Sequence, residues 1–164
     1  MTIRFGILTL SDRSSRGERA DASGPALADL IRAQNWSVTD QAILPDEKSA
    51  ISATLTEWAD SGRFDVILTT GGTGFALRDI TPEATRAVIQ RDAPGLAETM
   101  RAESLKKTPH AMLSRAVAGI RGRTLIVNLP GSPKGATENL QTIMPVIPHA
   151  VQLLKDDPAS ETSH

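Results

Sequence analysis

FDVILTTGGTGFALRDITPE, residues 64–83, places a short apolar segment directly before a glycine-rich loop and then a helix start. The segment over 64–70 predicts a buried strand, because it is short, apolar and followed at once by turn residues. Thr81, Pro82 and Glu83 predict a helix with a hydroxyl cap, a proline at its first position and an acid beside its positive end. The stretch therefore indicates a strand–loop–helix unit.

The same alternation of strand and helix extends in both directions from this unit. Further strands are predicted over 3–10, 38–44 and 123–129, and helices from Ser23, from Asp46, over 95–120 with a break near Thr108-Pro109, and over 134–154 with breaks near Pro145 and Pro148. Alternating strands and helices predict an α/β fold with three layers, a mostly parallel sheet covered by helices on both faces. We expect one domain over residues 1–155 and a disordered tail over 156–164.

Composition narrows the possible functions. The 164 residues carry a formal net charge of −1, contain 3% aromatic residues and include no cysteine. The absence of cysteine excludes disulfides, thiolate nucleophiles and Cys-ligated metals. The charge and the few aromatics do not favour nucleic acid as a partner, no stretch is long enough to span a membrane, and the expected location is the cytoplasm.

Three polar loops follow the predicted strands, over 11–17, 71–79 and 128–133. Ligands of open parallel sheets bind outside the carboxyl ends of the strands, so three loops at one edge predict a site there. Within 11–17, Ser11, Asp12, Ser14, Ser15 and Gly17 are candidate contacts, with an ordinary polar loop as the alternative.

The glycine loop over 71–74 can bring backbone N–H groups close to a phosphate, and Thr73 adds a hydroxyl. It is neither a P-loop, because no Gly-Lys-Ser/Thr follows, nor a dinucleotide fingerprint, because Leu77 stands where a third glycine is needed. The alternative is a tight strand-to-helix turn.

Charged residues beside this loop suit phosphate and metal. Arg78 can bind a phosphate with two hydrogen bonds, and Asp79 can hold Mg²⁺, which prefers one or two carboxylates together with substrate phosphates. If the predicted strand over 38–44 is parallel to the strand over 64–70, Asp46 and Asp79 could share that metal or activate an attacking oxygen. The alternatives are that Asp79 forms a turn and that Asp46 caps a helix.

Less specific candidates lie elsewhere in the chain. The hydroxyl of Ser132 can cap the last helical region or contact a ligand, and capping is favoured. Ser114 and Arg115 could contact an anion, but a solvated helix face is the default interpretation. The three histidines have no metal-ligand spacing.

Taken together, the motifs resemble the molybdopterin adenylyltransferase family over nearly the whole chain. The segments that carry the resemblance are LTLSDRSSRG, DASGPAL, LPDE, DVILTTGGTGFALRDITPEAT, SLKKTPHAMLSRAVAGIRG and LIVNLPGSP. A sister bacterial group shares much of this set, but Arg78 before Asp79 and Asn128 in NLPGSP are more similar to the adenylyltransferase branch.

The resemblance implies transfer of AMP from Mg-ATP to molybdopterin with release of pyrophosphate, a product passed to a molybdenum insertase, and a homotrimer. Asp46 and Asp79 match the family's two important aspartates. We expect both to be catalytic, with Asp79 chiefly holding Mg²⁺ and Asp46 holding the metal or positioning substrate. The motifs and the resemblance together predict nucleotide or substrate contacts from Ser11, Asp12, Ser15, Gly71, Gly72, Thr73, Gly74, Phe75, Arg78, Asn128, Pro130, Gly131 and Ser132. Two alternatives remain: a non-catalytic molybdopterin-binding or scaffold protein, and an unrelated phosphate-binding α/β enzyme.

Overall fold

The computed structural model describes residues 2–158 and 161. In this part of the chain one sheet has the strand order β2-β1-β3-β6-β5-β4. The first four of these strands are parallel, and β5 and β4 are antiparallel additions at one edge. The predicted mostly parallel sheet is confirmed.

The strands are β1 (Arg4–Leu10), β2 (Ser37–Leu44), β3 (Val66–Thr70), β4 (Arg91–Asp92), β5 (Ala118–Arg121) and β6 (Thr124–Leu129). The α-helices are α1 (Asp12–Ser15), α2 (Ser23–Ala33), α3 (Lys48–Asp60), α4 (Thr81–Arg86), α5 (Pro94–Leu105), α6 (Pro133–Ile143) and α7 (Ile147–Leu154). Short 3-10 helices occupy Pro109–Leu113 and Met144–Val146, so the predicted breaks near Pro109 and Pro145 are real.

Two hydrophobic cores cover the two faces of the sheet. Successive side chains of a strand point to opposite faces, so Phe5 and Ile7 join the core under α2, α5, α6 and α7, while Leu8 joins the core under α3 and α4. Gly6 leaves room for the stacked rings of Trp58 and Phe64, since a Cβ there would lie 2.7 Å from Trp58. This is the three-layer arrangement expected from the sequence.

The structure corrects three local predictions. Residues 118–121 form β5 rather than the end of a helix, and 114–117 lack helical structure. Thr81 is not a cap, because the N-cap residue of α4 is Ile80 and the Thr81 hydroxyl donates to the Gly71 carbonyl at 3.0 Å. Of the predicted disordered tail, residues 159, 160 and 162–164 lie outside the described residues.

No helix in the described residues is both long enough and apolar enough to cross a membrane.

Candidate active site

A cavity of about 690 Å³ opens at the carboxyl edge of the parallel strands. The ends of β1, β2, β3 and β6 meet there because these strands are parallel. The residues that line it are Thr9, Leu10, Ser11, Ser14, Arg19, Ala20, Asp21, Ala22, Ser23, Asp46, Thr70, Gly71, Gly72, Asp79, Gly131, Ser132 and Pro133. The predicted convergence of the three polar loops is therefore confirmed.

Asp46 carries a carboxylate oxygen that is buried without a hydrogen bond. Its Oδ2 accepts from the backbone N–H of Asp12 at 3.1 Å, whereas its Oδ1 has no partner. Burial raises the pKa of the Asp46 carboxyl, and the negative charges of Asp12 and Asp79 raise it further, against the opposing hydrogen bond from Asp12. Asp46 does not cap α3, whose N-cap residue is Glu47. A buried, unsatisfied carboxylate oxygen is costly, which favours a cation or donor as its partner when the site is filled.

Asp79 lines the first cavity from the loop that follows β3. Its Oδ2 accepts from the Ala76 N–H at 3.0 Å, and its own N–H donates to the Ala76 carbonyl at 2.9 Å. The turn-forming role therefore exists. It does not exclude a second role, because Asp79 also lines the cavity and its charge acts on Asp46. In residues 2–158 and 161 no group of three or more His, Cys, Asp or Glu could hold a metal by itself. Two carboxylates suit a Mg²⁺ ion whose other ligands are substrate phosphates and water.

The glycine loop leaves successive backbone donors available. Gly71 and Gly72 have φ values of +106° and +67°, which only glycine adopts readily, as expected for a tight turn at this point of the chain. Within the described part of the chain, the N–H groups of Gly72, Thr73 and Gly74 donate to no acceptor. A Cβ on Gly72 would lie 3.2 Å from the free Oδ1 of Asp46, so loop and carboxylate are adjacent. Free amides beside a buried carboxylate that could bind a cation fit a polyphosphate with its metal.

Arg78 ties together the loops that follow three strands. Its guanidinium donates to both oxygens of Asp12, at 2.7 and 3.0 Å, and to Glu47 at 2.8 Å. The hydrogen bond from Arg78 lowers the pKa of Asp12. The predicted phosphate-binding guanidinium is thus held by carboxylates at the rim, where a bound phosphate would have to compete with them.

A second cavity of about 330 Å³ lies beside the first. Thr73 and Gly74 line it, whereas Gly71 and Gly72 line the first cavity, and Ser132 lines both. The glycine loop therefore forms a wall between the two. The second cavity also contains the basic side chains of Arg101, Lys107 and His110.

Comparison with known proteins agrees with this geometry. A family profile described as "Probable molybdopterin binding domain" matches residues 6–149. This chain belongs to that family.

Some relatives of this family member are of similar length to this chain, and others are longer proteins of which it matches only one part. It is 45% identical to "Molybdopterin adenylyltransferase" of Helicobacter pylori over 93% of this chain and 88% of that protein. It is 49% identical to "Molybdenum cofactor synthesis protein cinnamon" of Drosophila melanogaster over 95% of this chain, but spans only 26% of that longer protein.

Solved structures support the fold of this family member throughout. The molybdopterin biosynthesis enzyme MoaB of Thermus thermophilus superposes with a TM-score of 0.90 and 52% identity, covering 96% of this chain and 99% of that one. The Mog protein of Mycobacterium ulcerans superposes with a TM-score of 0.86 and 36% identity, over 93% and 99% of the respective chains.

The structure distributes the predicted site residues over three places. The first cavity receives Ser11, Asp46, Gly71, Gly72, Asp79, Gly131 and Ser132, and the second receives Thr73, Gly74, Pro130 and again Ser132. Asp12, Ser15, Phe75, Arg78 and Asn128 line neither. Ser132 caps α6 by accepting from the Gly135 N–H at 3.0 Å, as the favoured interpretation predicted.

Several charged residues in or beside the two cavities were not among the predicted site residues, including Arg19, Asp21, Arg101, Lys107 and Arg115. Arg19 and Asp21 line the first cavity, and Asp21 accepts from the Thr9 hydroxyl at 2.8 Å. Arg115 is not on a helix face but holds the glycine loop. Arg19 could have been noticed as a cation in the loop after β1, whereas the contacts of Arg115 span 32 to 41 residues of sequence and leave no local pattern.

Asn128 supports the site from inside the fold and does not face either cavity. It is fully buried, and its amide donates to the hydroxyls of Thr69 and Thr85 at 3.0 and 2.9 Å, while its Oδ1 accepts from the Val117 N–H at 3.1 Å. We expect Asn128→Ala to lower the free energy of unfolding by about 2–4 kcal/mol, because it leaves buried groups unsatisfied. Urea unfolding measures this. Unchanged stability together with a raised substrate KM would instead place Asn128 in contact with a ligand.

Proposed function

We propose that this chain transfers AMP from Mg-ATP to the terminal phosphate of molybdopterin, releasing pyrophosphate. The observation that carries the proposal is the free Oδ1 of Asp46, buried beside the unpaired amides of the glycine loop. A site with anion donors and a cation-seeking carboxylate in contact suits a phosphate chain with its metal. Two relatives named "Molybdopterin adenylyltransferase" match nearly the full length of this chain.

The first cavity is the proposed ATP site. Its volume suits a ligand of nucleotide size, and both glycine-containing loops, 71–72 and 131–132, border it. Asp46 and Asp79 are the groups that would hold Mg²⁺ there. When bound, Mg²⁺ would offset negative charge on the phosphates.

The second cavity is the proposed molybdopterin site. Arg101 and Lys107 carry positive charge there and His110 adds a ring nitrogen, so these side chains could bind a phosphate monoester. Lys107 pairs with Glu138 of the same cavity at 3.3 Å, and a bound phosphate would have to compete with this carboxylate. The glycine loop lies between the two cavities and Ser132 borders both. The phosphate groups of two substrates bound in these cavities would therefore both lie beside the glycine loop, close to each other. This shared wall favours a reaction between two phosphates over simple storage of a pterin.

The chemistry asks little of a general base. An oxygen of the molybdopterin phosphate forms a bond to the α-phosphorus of ATP, and the bond from that phosphorus to the bridging oxygen breaks as pyrophosphate leaves. The attacking phosphate is already anionic, so positioning and charge neutralisation dominate the rate. The chain contributes the amides of 72–74 as donors and the two aspartates as anchors of the phosphate-bound cation.

The direct test is incubation of the protein with molybdopterin, ATP and Mg²⁺ followed by mass spectrometry. Adenylylated molybdopterin and equimolar pyrophosphate are the expected products. Tight binding of molybdopterin without product would support the scaffold alternative. No binding and no product would assign the site to another phosphate substrate.

Lys107 tests the assignment of the second cavity. We expect Lys107→Gln to raise the KM for molybdopterin by about tenfold and to leave the KM for ATP within about twofold, because one charged hydrogen bond to phosphate is lost. Lys106→Gln is the matched control, since Lys106 is exposed, lies outside the cavity and pairs with Glu103 at 2.7 Å. Steady-state kinetics with each substrate varied in turn measures both. Equal effects of the two variants on molybdopterin would contradict the assignment.

We further propose a homotrimer in the cytoplasm that passes its product to a molybdenum insertase. The trimer and the insertase rest on the family resemblance alone, and the location rests on the cysteine-free composition. Sedimentation equilibrium tests the trimer, and product transfer to a purified insertase tests the partner.

A further inference from the structure

Arg115 holds the glycine loop and the Asp79 turn at the same time. Its Nε donates to the Gly74 carbonyl at 2.8 Å, and one terminal nitrogen donates to the Asp79 carbonyl at 2.6 Å. Its backbone N–H donates to the Thr73 carbonyl at 2.8 Å. The other terminal nitrogen pairs with Glu83 on α4. One residue thus fixes three carbonyls of the wall between the two cavities.

The segment that carries Arg115, residues 114–117, is itself held from behind. The buried side chain of Asn128 accepts from the Val117 N–H, and the Asn128 N–H donates to the Val117 carbonyl at 3.0 Å. Arg101 donates to the Ala116 carbonyl at 2.9 Å. Arg115 is therefore mounted on a backbone segment that tertiary contacts immobilise.

The position of this segment links the two cavities. Ser114 and Ala116 line the second cavity, while Asp79, whose carbonyl Arg115 binds, lines the first. Arg115 itself lines neither cavity, and each of its donors described above already has a protein acceptor. A direct contact with substrate would require breaking one of these bonds.

We propose that Arg115 is a positioning residue for adenylyl transfer, which sets the orientation of the Asp79 carboxylate and of the loop amides without contacting either substrate. This inference rests on the proposed function. Arginine is required because its planar guanidinium presents several N–H donors in a fixed fork, whereas a lysine ammonium is a compact point charge that cannot span the Gly74 and Asp79 carbonyls and Glu83 with the same geometry.

A role in general stability is the competing explanation, and Arg121 provides the matched control. Arg121 also combines a carboxylate with a carbonyl, donating to both oxygens of Asp60 at 3.0 and 3.1 Å and to the Val88 carbonyl at 3.0 Å. It ends β5 beside the start of β6, at the sheet edge opposite the site. Glu83→Gln is a second control, because it removes the ion pair of Arg115 but leaves the carbonyls bound.

The experiment compares Arg115→Lys, Arg121→Lys and Glu83→Gln with the wild type by two readouts. Hydrogen exchange is followed at the bonded amides of Gly71, Ala76, Asp79 and Thr81, and adenylylation is measured as separate kcat and KM values. For Arg115→Lys we expect exchange at these amides to accelerate by about tenfold or more, and kcat to fall by about 10–100-fold with the KM for ATP within about threefold. Arg121→Lys should change neither, and Glu83→Gln should keep exchange within about threefold of wild type.

The two readouts separate failure of this inference from failure of the proposed function. If the wild type forms no adenylylated product, the proposed function fails, and the positioning of Asp79 by Arg115 is decided by exchange alone. Wild-type exchange rates in Arg115→Lys would overturn the inference. So would a kcat that falls no further than in Arg121→Lys in an active enzyme.

Discussion

Asp46→Asn and Asp79→Asn are each expected to lower the turnover of adenylyl transfer by about 10²–10³-fold at saturating Mg²⁺ and ATP. Each change removes one negative charge from the pair that faces the proposed phosphate site while keeping the shape of the side chain. Discontinuous kinetics with product detection by mass spectrometry measures the effect. Asp29→Asn is the control, because Asp29 is exposed on α2 and lies outside both cavities. Near-wild-type turnover in both variants would remove the two aspartates from the mechanism.

Asp46→Asn should separate activity from stability. In the absence of metal we expect its melting temperature to rise above that of the wild type, because an ionised Asp46 is desolvated and repelled by Asp12 and Asp79. The sign follows from the raised pKa. A carboxyl whose pKa is higher in the folded state destabilises the fold when ionised, and this cost disappears as the pH falls through that pKa to the unfolded value. The stability difference between variant and wild type should therefore shrink at acid pH, as thermal unfolding at several pH values would show. A metal-free variant less stable than the wild type at neutral pH would contradict this account.

The residues that the sequence predicts well are those whose structure is local. β1, β3 and β6 are buried on both faces, so they appear in the sequence as continuous apolar runs. The glycines that follow β3 directly predict the turn there. The convergence of Asp46 and Asp79 was also predictable, because it requires only that the strands before them be parallel. The glycine loop and the two aspartates, which make up most of the proposed ATP site, were therefore predictable from the sequence.

The residues that the sequence misjudges are those whose structure depends on distant contacts. Residues 114–117 have no glycine and no break in their apolar spacing, so their sequence favours a helix. Their observed conformation is fixed by Asn128 and by the Thr73 carbonyl, which local propensity cannot register. The two-residue β4 exists because it pairs with β5, and nothing in its composition indicates a strand. The contribution of Ser114 and Ala116 to the second cavity therefore could not be predicted from the sequence.

Gly71→Ala is expected to lower the free energy of unfolding by about 3 kcal/mol or more and turnover by at least about tenfold. Gly71 has a φ of +106°, and a Cβ there would lie 2.4 Å from the Leu10 carbonyl oxygen, so the added methyl group meets rigid backbone of β1. Its N–H donates to the Leu129 carbonyl at 3.1 Å, which holds it between the ends of two strands. Relief of the clash must displace β1 or the glycine loop, and both of them border the first cavity.

Gly62→Ala separates the cost of the clash from the cost of backbone strain. Gly62 has a φ of +73°, yet a Cβ there would meet nothing within 4 Å, so only the left-handed conformation is penalised, by about 1 kcal/mol. Thermal or urea unfolding of both variants, with turnover measured below the unfolding transition, gives the comparison. If Gly71→Ala costs no more than Gly62→Ala, close approach of β1 is not the reason for glycine at 71. If Gly71→Ala is unstable but turns over normally when folded, the position of the loop is not critical for the reaction. The combination of excess instability and lost turnover would mean that the same contact between β1 and the glycine loop holds the sheet edge together and sets the geometry of the phosphate site.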